Sequence, residues 1–241
     1  MDWLDYTAPT LSENLALDEA LLEAVHTERL GPILRIWEWP RYAVVLGANG
    51  SIAIDVNRER CESEGIEIKR RSSGGGTVLL GPGCLLYSVI LPFSLAAELR
   101  DVTRSYRWIL QRMAQAVQPE DAPPVNLDGI SDLTLEVQKF SGNAQQRKAN
   151  GVLHHGTLLI DFDLSAISRL LAMPERQPDY RADRPHAEFV RNLAASREQV
   201  IARLRAVWQA DSPFPMDAIP WQRVAELRTE RYDDPQWINR R

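Results

Sequence analysis

Residues 70–77 read Arg-Arg-Ser-Ser-Gly-Gly-Gly-Thr and follow a short alternating run at residues 66–69 that predicts a β-strand. Consecutive glycines lose much conformational freedom on folding, so they mark a place where φ is positive or where the backbone closely approaches another group. The guanidinium and hydroxyl groups beside them suit carboxylate or phosphate oxygens. A glycine run alone would also fit a flexible hairpin, but with these neighbours the stretch predicts a strand that ends in an anion-binding loop.

Short runs of apolar, β-branched and aromatic residues on both sides of this loop predict a sheet in the middle of the chain. Predicted strands cover residues 33–37, 43–46, 66–69, 77–80, 85–91, 133–137, 142–147 and 151–160. Predicted helices run from Ser12 to a point before Gly31, from Asp55 toward Glu64, from Ser94 to Val117, and near residues 197–208 and 221–231. Because helices lie at both ends of the chain, the order favours an α+β fold with a mixed central β-sheet flanked by helices over a regular βαβ alternation.

The composition is that of an ordinary globular protein, with 241 residues, 44% hydrophobic and 25% charged. A formal net charge of -5 argues against a nucleic-acid partner, because nucleic-acid binding requires a basic face. Cys61 and Cys84 are too few for a disulfide framework or a four-sulfur zinc site. Residues 1–6 lack the pattern of a signal peptide, and no apolar run approaches the roughly 20 residues that span a bilayer. We therefore expect a cytoplasmic protein with no membrane partner.

Two further segments carry chemistry: residues 139–144 read Lys-Phe-Ser-Gly-Asn-Ala, and residues 154–157 read His-His-Gly-Thr. Lys139 on its own would be a solvated strand end; beside the glycine loop, and next to a predicted tight turn, its ammonium could neutralise charge that builds on carbonyl and phosphoryl oxygens. His154 and His155 either form hydrogen bonds with backbone groups at the end of a strand or line a binding site. A metal site would need more ligands than the sequence places nearby. The three segments together predict one site for an acyl phosphate.

The glycine loop matches neither of the common nucleotide signatures. It lacks the Gly-Lys-Ser/Thr end of a Walker A loop and the Gly-x-Gly-x-x-Gly spacing of a Rossmann turn. An ATP-using enzyme of this kind would hold phosphate in another nest of backbone amides.

The chain resembles the lipoate-protein ligase A family, within the wider group that includes biotin-protein ligases and octanoyltransferases. The segments that carry the resemblance are residues 14–22, 34–37, 44–47, 70–78, 139–144, 154–159 and 230–232, together with Trp237. The resemblance implies a catalytic domain like that of class II aminoacyl-tRNA synthetases and biotin ligases. A biotin ligase itself is less expected, because that branch uses a different Arg/Gly-rich signature.

The resemblance implies a two-step acyl transfer that uses ATP and Mg²⁺. Lipoate would attack the α-phosphorus of ATP to give lipoyl-AMP, and a lysine of an acceptor would then take the lipoyl group. The implied acceptor is the lipoyl domain of a 2-oxoacid dehydrogenase or of a glycine-cleavage protein. The residues leave open the choice between lipoate and octanoate and the identity of the acceptor.

Carried over to this chain, the resemblance makes Lys139 the catalytic residue and assigns no metal ligand set. The implied substrate and nucleotide contacts are Arg70, Arg71, Ser72, Ser73, Gly74, Gly75, Gly76, Thr77, Val78, Asp132, Ser141, Gly142, Asn143, Ala144, His155, Gly156 and Thr157. Asp132 is the candidate for a nucleotide or magnesium contact. The walls of an apolar acyl tunnel are expected among Val44, Leu46, Val78 and Leu158.

This chain departs from the family pattern in ways that affect its expected partners. Leu80-Gly81 stands where many ligases have His-Asp, and Gly81-Pro-Gly83 is more typical of octanoyltransferases. We expect residues 1–241 to form a single catalytic domain without the accessory domain of the larger bacterial ligases. Adenylation could then require a separate accessory protein. A monomer is expected as the family default.

Two alternatives remain beside the ligase. An octanoyltransferase would move an acyl group from octanoyl-acyl carrier protein through a cysteine thioester, and a thiolate nucleophile needs an exposed, electropositive setting. The expected cysteine is absent from residues 125–138, and Cys84 is more readily interpreted as a packing residue. The other alternative is a non-catalytic lipoate or lipoyl-AMP binding protein. Because Lys139 is retained, the sequence favours the ligase.

Overall fold

An eight-stranded mixed sheet and a three-stranded sheet form the framework of the computed structural model, which describes residues 1–120 and 122–241. The strands are β1 Asp2–Asp5, β2 Ile33–Glu38, β3 Ala43–Leu46, β4 Glu67–Arg70, β5 Val78–Leu80, β6 Cys84–Pro92, β7 Val125–Asp128, β8 Asp132–Leu135, β9 Gln138–Lys148, β10 Gly151–Leu159 and β11 Ser212–Pro213. The large sheet has the order β11-β1-β2-β6-β10-β9-β8-β7, and the small sheet has the order β4-β3-β5.

Helices cover the sheets and connect them. They are α1 Leu11–His26, α2 Ile52–Asp55, α3 Arg58–Ser63, α4 Val102–Val117, α5 Leu164–Leu170, α6 His186–Phe189, α7 Arg197–Trp208, α8 Trp221–Leu227 and α9 Pro235–Ile238. Single turns of 3₁₀ helix lie at Ala97–Arg100, Asp179–Arg181 and Met216–Ala218, and a π-helical turn lies at Arg228–Tyr232. The prediction of an α+β fold with a mixed central sheet and flanking helices is confirmed.

Two hydrophobic clusters lie on opposite faces of the large sheet. The alternation of β6 shows the division: Leu86 and Ile90 belong to the cluster that contains α1, whereas Leu85, Tyr87 and Val89 belong to the cluster that contains α4 and α7. Successive side chains of a strand point to opposite faces, so one strand contributes to both clusters. The middle of the sheet is therefore buried on both sides, and β6, β9 and β10 lie where functional side chains can be held rigidly.

Several predicted boundaries differ from the structure for local reasons. The first helix begins at Leu11 because Thr10 is its N-cap and forms a capping box with Glu13, whereas Ser12 is buried and donates to Asp233. Ser94 opens no long helix; Asp101 caps α4 after a turn of 3₁₀ helix. Strands β1, β7 and β11 were not expected, and Asp55 ends α2 rather than beginning the next helix.

The segment that begins at Lys139 shows the largest difference in local structure. The sequence predicts a cation beside a tight turn, but the whole motif lies inside the continuous strand β9, paired with β10 from Ser141 to Lys148. Gly142 and Gly156 lie on these two neighbouring strands, and each leaves space that a side chain fills. The motif is thus rigid sheet rather than loop.

None of the helices in residues 1–120 and 122–241 has the length and apolar character that a membrane span requires.

Candidate active site

Two neighbouring cavities open between the small sheet and the strands β8, β9 and β10, and they share one wall. The residues of that shared wall are Gly76, Thr77, Val78, Ser131, Asp132, Lys139, Gly142 and Thr157. The second cavity is the larger, at about 820 Å³, and extends under the segment of residues 171–190. The glycine loop, the lysine strand and the His-His-Gly-Thr strand therefore meet at one place, although they are far apart in sequence.

The first cavity has an apolar end. It is formed by Leu15, Trp37, Val45, Leu80 and Leu86, and Val78 adds a further apolar wall. Such a lining suits an aliphatic chain.

Of the four residues predicted for a tunnel wall, only Val78 lines this cavity. Val45 rather than Val44 or Leu46 reaches it, because alternate residues of β3 face opposite ways. Leu158 packs into the hydrophobic cluster on the other face of the large sheet. The prediction of Val44, Leu46 and Leu158 as tunnel walls is therefore wrong, and the strand alternation explains it.

The guanidinium of Arg71 organises the glycine loop from within. Its Nε donates to Ser73 Oγ at 2.9 Å, and one terminal nitrogen donates to the carbonyl oxygens of Gly74 at 2.8 Å and Gly76 at 2.7 Å. Burial lowers the pKa of Arg71 to about 10, so the group is still charged at neutral pH. By holding loop carbonyls, Arg71 keeps these negative dipoles away from a bound anion.

Arg70 is fully buried and also donates to backbone carbonyls. Its guanidinium binds the oxygens of Gly47 at 3.1 Å, Gly50 at 2.6 Å and Ile238 at 2.9 Å. The sequence predicts that both guanidinium groups surround an anion, whereas in the structure Arg70 binds backbone carbonyls and Arg71 binds backbone carbonyls and the Ser73 hydroxyl. Arg70, Ser72, Ser73 and Gly74 line neither cavity, and their direct contact with a ligand stays a prediction.

Lys139 lies in the wall shared by the two cavities. Its ammonium is 2.8 Å from Asp132 Oδ1, and the other carboxylate oxygen of Asp132 accepts from the Tyr180 hydroxyl at 2.7 Å. A Cβ built on Gly142 would lie 2.8 Å from Lys139 Nζ, so the glycine provides the space in which the ammonium sits. A fixed positive charge is thus available to both cavities at once.

His155 connects the glycine loop to a buried ion pair. Its Nε2 lies 2.6 Å from Ser73 Oγ, its Nδ1 lies 3.6 Å from Asp18 Oδ2, and Asp18 pairs with the fully buried Arg35 at 2.5 Å. Burial acts to raise the pKa of Asp18, but the Arg35 guanidinium and the hydrogen bonds to the carboxylate outweigh it and hold that pKa below its ordinary value. Ser73 is only 2% exposed and accepts from Arg71, so this arrangement orients the loop and offers no nucleophile.

Asp18 and Arg35 were not predicted as site residues. Both lie in segments on which the family resemblance rests, but nothing in the local pattern shows that they pair across α1 and β2.

Asp18→Ala is expected to lower the free energy of unfolding by about 3–5 kcal/mol, because it leaves the Arg35 charge buried without its partner. Urea denaturation at pH 7 measures the change. The folded pKa of Asp18 lies below its ordinary value of 3.8, so the contribution is present above that pH and is lost as the pH falls through the folded pKa. Glu62→Ala, which breaks the exposed pair with Arg58, is the control and should cost no more than about 0.5 kcal/mol. A similar small loss for both variants would contradict the prediction.

A second buried network fixes Asn143. Its Oδ1 accepts from the Tyr87 hydroxyl, and its amide nitrogen donates to Ser131 O at 2.7 Å. A Cβ on Gly156 would overlap Asn143 Oδ1, so only glycine leaves room for this amide. His154 completes the network from below; burial lowers its pKa to about 3, so the ring is neutral and structural.

Both thiols lie in the protein interior. Cys84 and Cys61 are each 0% exposed. Burial raises the pKa of Cys84 to about 12 and also raises that of Cys61, so neither is a thiolate at neutral pH.

Most of the predicted contacts come together around the cavities. Those that line at least one of them are Arg71, Gly75, Gly76, Thr77, Val78, Asp132, Lys139, Ser141, Gly142, Asn143, Ala144, His155, Gly156 and Thr157. Within residues 1–120 and 122–241, no group of three His, Cys, Asp or Glu side chains is placed to hold a metal ion. Asp132 nevertheless offers a carboxylate to the larger cavity.

Comparison with known proteins identifies relatives of this chain in sequence and in fold. The model of the family described as lipoyl protein ligase A/B catalytic domain matches residues 10–207. A lipoate-protein ligase A homologue from Aeropyrum pernix is 31% identical over 199 residues, covering 82% of this chain and 70% of its own length. Octanoyltransferase LipM of Carboxydothermus hydrogenoformans is 26% identical over 267 residues, covering 99% of this chain and 98% of its own. A solved structure of lipoate-protein ligase A bound with ATP superposes with a TM-score of 0.81 at 22% identity, covering 99% of this chain and 98% of that one.

Proposed function

We propose that this chain, which belongs to the lipoyl protein ligase A/B catalytic domain family, is a lipoate-protein ligase that activates lipoate with ATP and transfers the lipoyl group to a lysine of a lipoyl acceptor domain. The observation that carries the proposal is the junction of two cavities at Lys139. The apolar cavity fits the acyl chain, the larger cavity fits the nucleotide, and the ammonium lies where the carbonyl and the phosphate of lipoyl-AMP would meet. The ATP-bound ligase of the same fold supports ATP as the co-substrate.

In the first step, a carboxylate oxygen of lipoate attacks the α-phosphorus of ATP. A carbon–oxygen–phosphorus linkage forms, the bond to the β-phosphate breaks, and pyrophosphate leaves. Lys139 stabilises the negative charge that grows on the phosphoryl oxygens, which is the role of a preorganised cation. Mg²⁺ would enter on the phosphates and neutralise part of their charge, with Asp132 as the neighbouring carboxylate.

In the second step, the neutral amine of the acceptor lysine attacks the carbonyl carbon of lipoyl-AMP. An amide bond forms, AMP leaves with the electrons of the broken carbon–oxygen bond, and the amine gives up a proton. Lys139 remains beside the carbonyl oxygen and can stabilise the charge of the tetrahedral intermediate. Both steps thus use one ammonium, which explains its position between the two cavities.

The alternative octanoyltransferase needs a reactive cysteine, and the burial of Cys61 and Cys84 weighs against one. The similarity to octanoyltransferase LipM keeps this reaction as the second candidate. A non-catalytic lipoate or lipoyl-AMP binding protein would leave the mass of the acceptor unchanged, so the transfer assay below separates it from the ligase. We favour the ligase for these reasons, with residues 1–241 acting as one catalytic domain, in the cytoplasm, as a monomer.

The test supplies two donor systems to the same acceptor. The protein, a purified lipoyl acceptor domain, ATP, Mg²⁺ and lipoate should raise the mass of the acceptor by one lipoyl group, measured by intact-protein mass spectrometry. Octanoyl-acyl carrier protein without ATP should give no transfer. Cys84→Ala should leave the ATP-dependent rate within about twofold, because the thiol is buried in the wall of a hydrophobic cluster. Transfer from octanoyl-acyl carrier protein that is lost in Cys84→Ala would replace the ligase by the octanoyltransferase.

The sequence leaves open whether adenylation needs a separate accessory protein. Its need is decided by the same reaction run with synthetic lipoyl-AMP, which omits the first step. Transfer from lipoyl-AMP without transfer from lipoate and ATP would mean that the chain performs the second step alone and requires a partner for the first.

A further inference from the structure

The strand that leads into the glycine loop is held by a distant part of the chain, residues 232–238, which we call the brace. Lys69 Nζ lies 2.9 Å from Asp233 Oδ1, Arg70 Nε donates to Trp237 O at 3.0 Å, and the Trp237 indole N–H donates to Arg70 O at 3.0 Å. The contacts between Arg70 and Trp237 run in both directions. The peptide that joins Arg70 to Arg71 is therefore fixed by the brace.

The brace also reaches the first serine of the loop. The Tyr232 hydroxyl donates to Glu19 Oε2 at 2.6 Å, the other carboxylate oxygen of Glu19 accepts from the Gln146 amide at 3.1 Å, and Gln146 Oε1 accepts from Ser72 Oγ at 2.6 Å. This network connects Tyr232 to Ser72, and the two hydroxyl oxygens lie 3.0 Å apart. Tyr232 is only 1% exposed, so these contacts are shielded from water. A buried hydroxyl with several partners has one strongly preferred position.

The glycines of the loop have no side chains to pack, and the backbone carbonyls of Gly74 and Gly76 are held by Arg71, the residue that follows Arg70. A Cβ built on Gly74 or Gly76 would meet nothing within 4 Å, and Gly75 has a φ of 85°. A glycine-rich segment pays a large conformational entropy when it is ordered, so its order depends on the residues at its ends. One end is Lys69 to Ser72, where the brace binds.

The ring of Trp237 is itself fixed in place. The guanidinium of Arg240 lies 3.9 Å from the ring centroid and that of Arg231 lies 4.9 Å from it. The brace lies outside residues 10–207, which are the part that the family model matches, and it contributes no residue to either cavity. Its effect on the site must therefore pass through the loop.

We infer that Tyr232 and Trp237 are positioning residues, which hold the glycine loop ready to receive the acyl adenylate. They act on the loop backbone through Arg70 and Ser72 and touch no substrate. The inference rests on the proposed function for the ligand's identity, while the ordering of the loop is independent of it. The brace thus makes the affinity for the adenylate depend on residues more than 150 positions away in sequence, as the separations of 160 and 167 show.

Trp237→Phe removes the indole N–H and one of the two fused rings, and it keeps an aromatic ring between the two arginines. Tyr232→Phe removes only a hydroxyl. Gln236→Ala is the matched control: the residue lies in the brace and is exposed, and its side chain makes no hydrogen bond among the described residues. Amide hydrogen exchange of residues 70–78 is measured first, followed by the dissociation constant of a non-hydrolysable lipoyl-adenylate analogue.

Each Phe variant should increase the exchange of the glycine amides about tenfold and weaken binding of the analogue about fivefold to tenfold, in keeping with the loss of one hydrogen bond. The rate of transfer from saturating lipoyl-AMP should stay within about twofold, because Lys139 is unaffected. Exchange confined to the loop separates positioning from general destabilisation, which would raise exchange throughout the sheet.

The inference would be overturned if the Phe variants showed the same amide hydrogen exchange and the same affinity for the analogue as Gln236→Ala. It would also be overturned if amide exchange in β9 and β10 rose as much as exchange in the loop. Failure of the wild-type protein to bind the analogue would instead contradict the proposed function. The exchange measurement still decides in that case whether the brace orders the loop.

Discussion

Lys139→Ala should lower lipoyl transfer to the acceptor domain by about 10²–10³-fold, the loss expected when one preorganised charge is removed from the reacting oxygens. The ammonium lies in the wall shared by both cavities, 2.8 Å from Asp132. Without it, the Asp132 carboxylate faces an anionic adenylate with no compensating cation, which adds repulsion to the lost attraction. Intact-protein mass spectrometry of the acceptor over time gives the rate.

The control for this variant is Lys148→Ala. Lys148 lies on the same strand, is partly exposed and pairs with Glu23 at 3.3 Å, away from both cavities. Its removal should change the rate less than twofold and the stability by no more than about 1 kcal/mol. If Lys139→Ala retained the wild-type rate while remaining folded, the proposed role of the ammonium would be wrong.

Gly47→Ala should have the second large effect, at a position outside the predicted site. A Cβ at Gly47 would overlap the Gly75 carbonyl oxygen, which is a backbone atom that cannot turn aside. The glycine loop must therefore move, and a displacement on the order of 1 Å at a reaction site costs about 10²-fold in rate. Transfer activity should fall by that factor, and thermal unfolding should show a smaller loss of stability.

Gly31→Ala is the matched control, because a Cβ there meets no atom within 4 Å. It should leave the transfer rate and the unfolding temperature close to those of the wild type. Equal activity of Gly47→Ala and Gly31→Ala would show that the loop tolerates displacement, and would remove the reason for its run of glycines.

The sequence predicts much of the fold because its signals are local. The strand Ala43–Leu46 and the helix Arg197–Trp208 have the predicted bounds, since strand residues and helix-spaced residues reveal themselves within a few positions. The start of α4 was missed because Asp101, and not Ser94, accepts the capping hydrogen bond. Several side chains near the start of a helix can accept a capping hydrogen bond, and the sequence alone does not show which of them does.

The site was predictable to the extent that it follows short motifs. The prediction that the glycine segment, Lys139 and His155 share one cavity agrees with the structure. The side chains that hold these motifs were not predictable, because their partners are remote: Tyr232 meets Glu19 across 213 positions, and Arg71 turns inward to its own loop. A guanidinium beside glycines can donate its hydrogen bonds either to a bound anion or to backbone carbonyl oxygens. Which of the two it binds depends on the fold.

The central claim is that one acyl adenylate lies across both cavities, with its carbonyl and phosphate beside Lys139. Synthetic lipoyl-AMP given to the wild-type protein with a lipoyl acceptor domain, in the absence of ATP, tests it most directly. The account predicts that the acceptor gains one lipoyl group and that AMP is released in equal amount. If the acceptor gained lipoyl groups no faster with the protein than with lipoyl-AMP alone, the account would be contradicted.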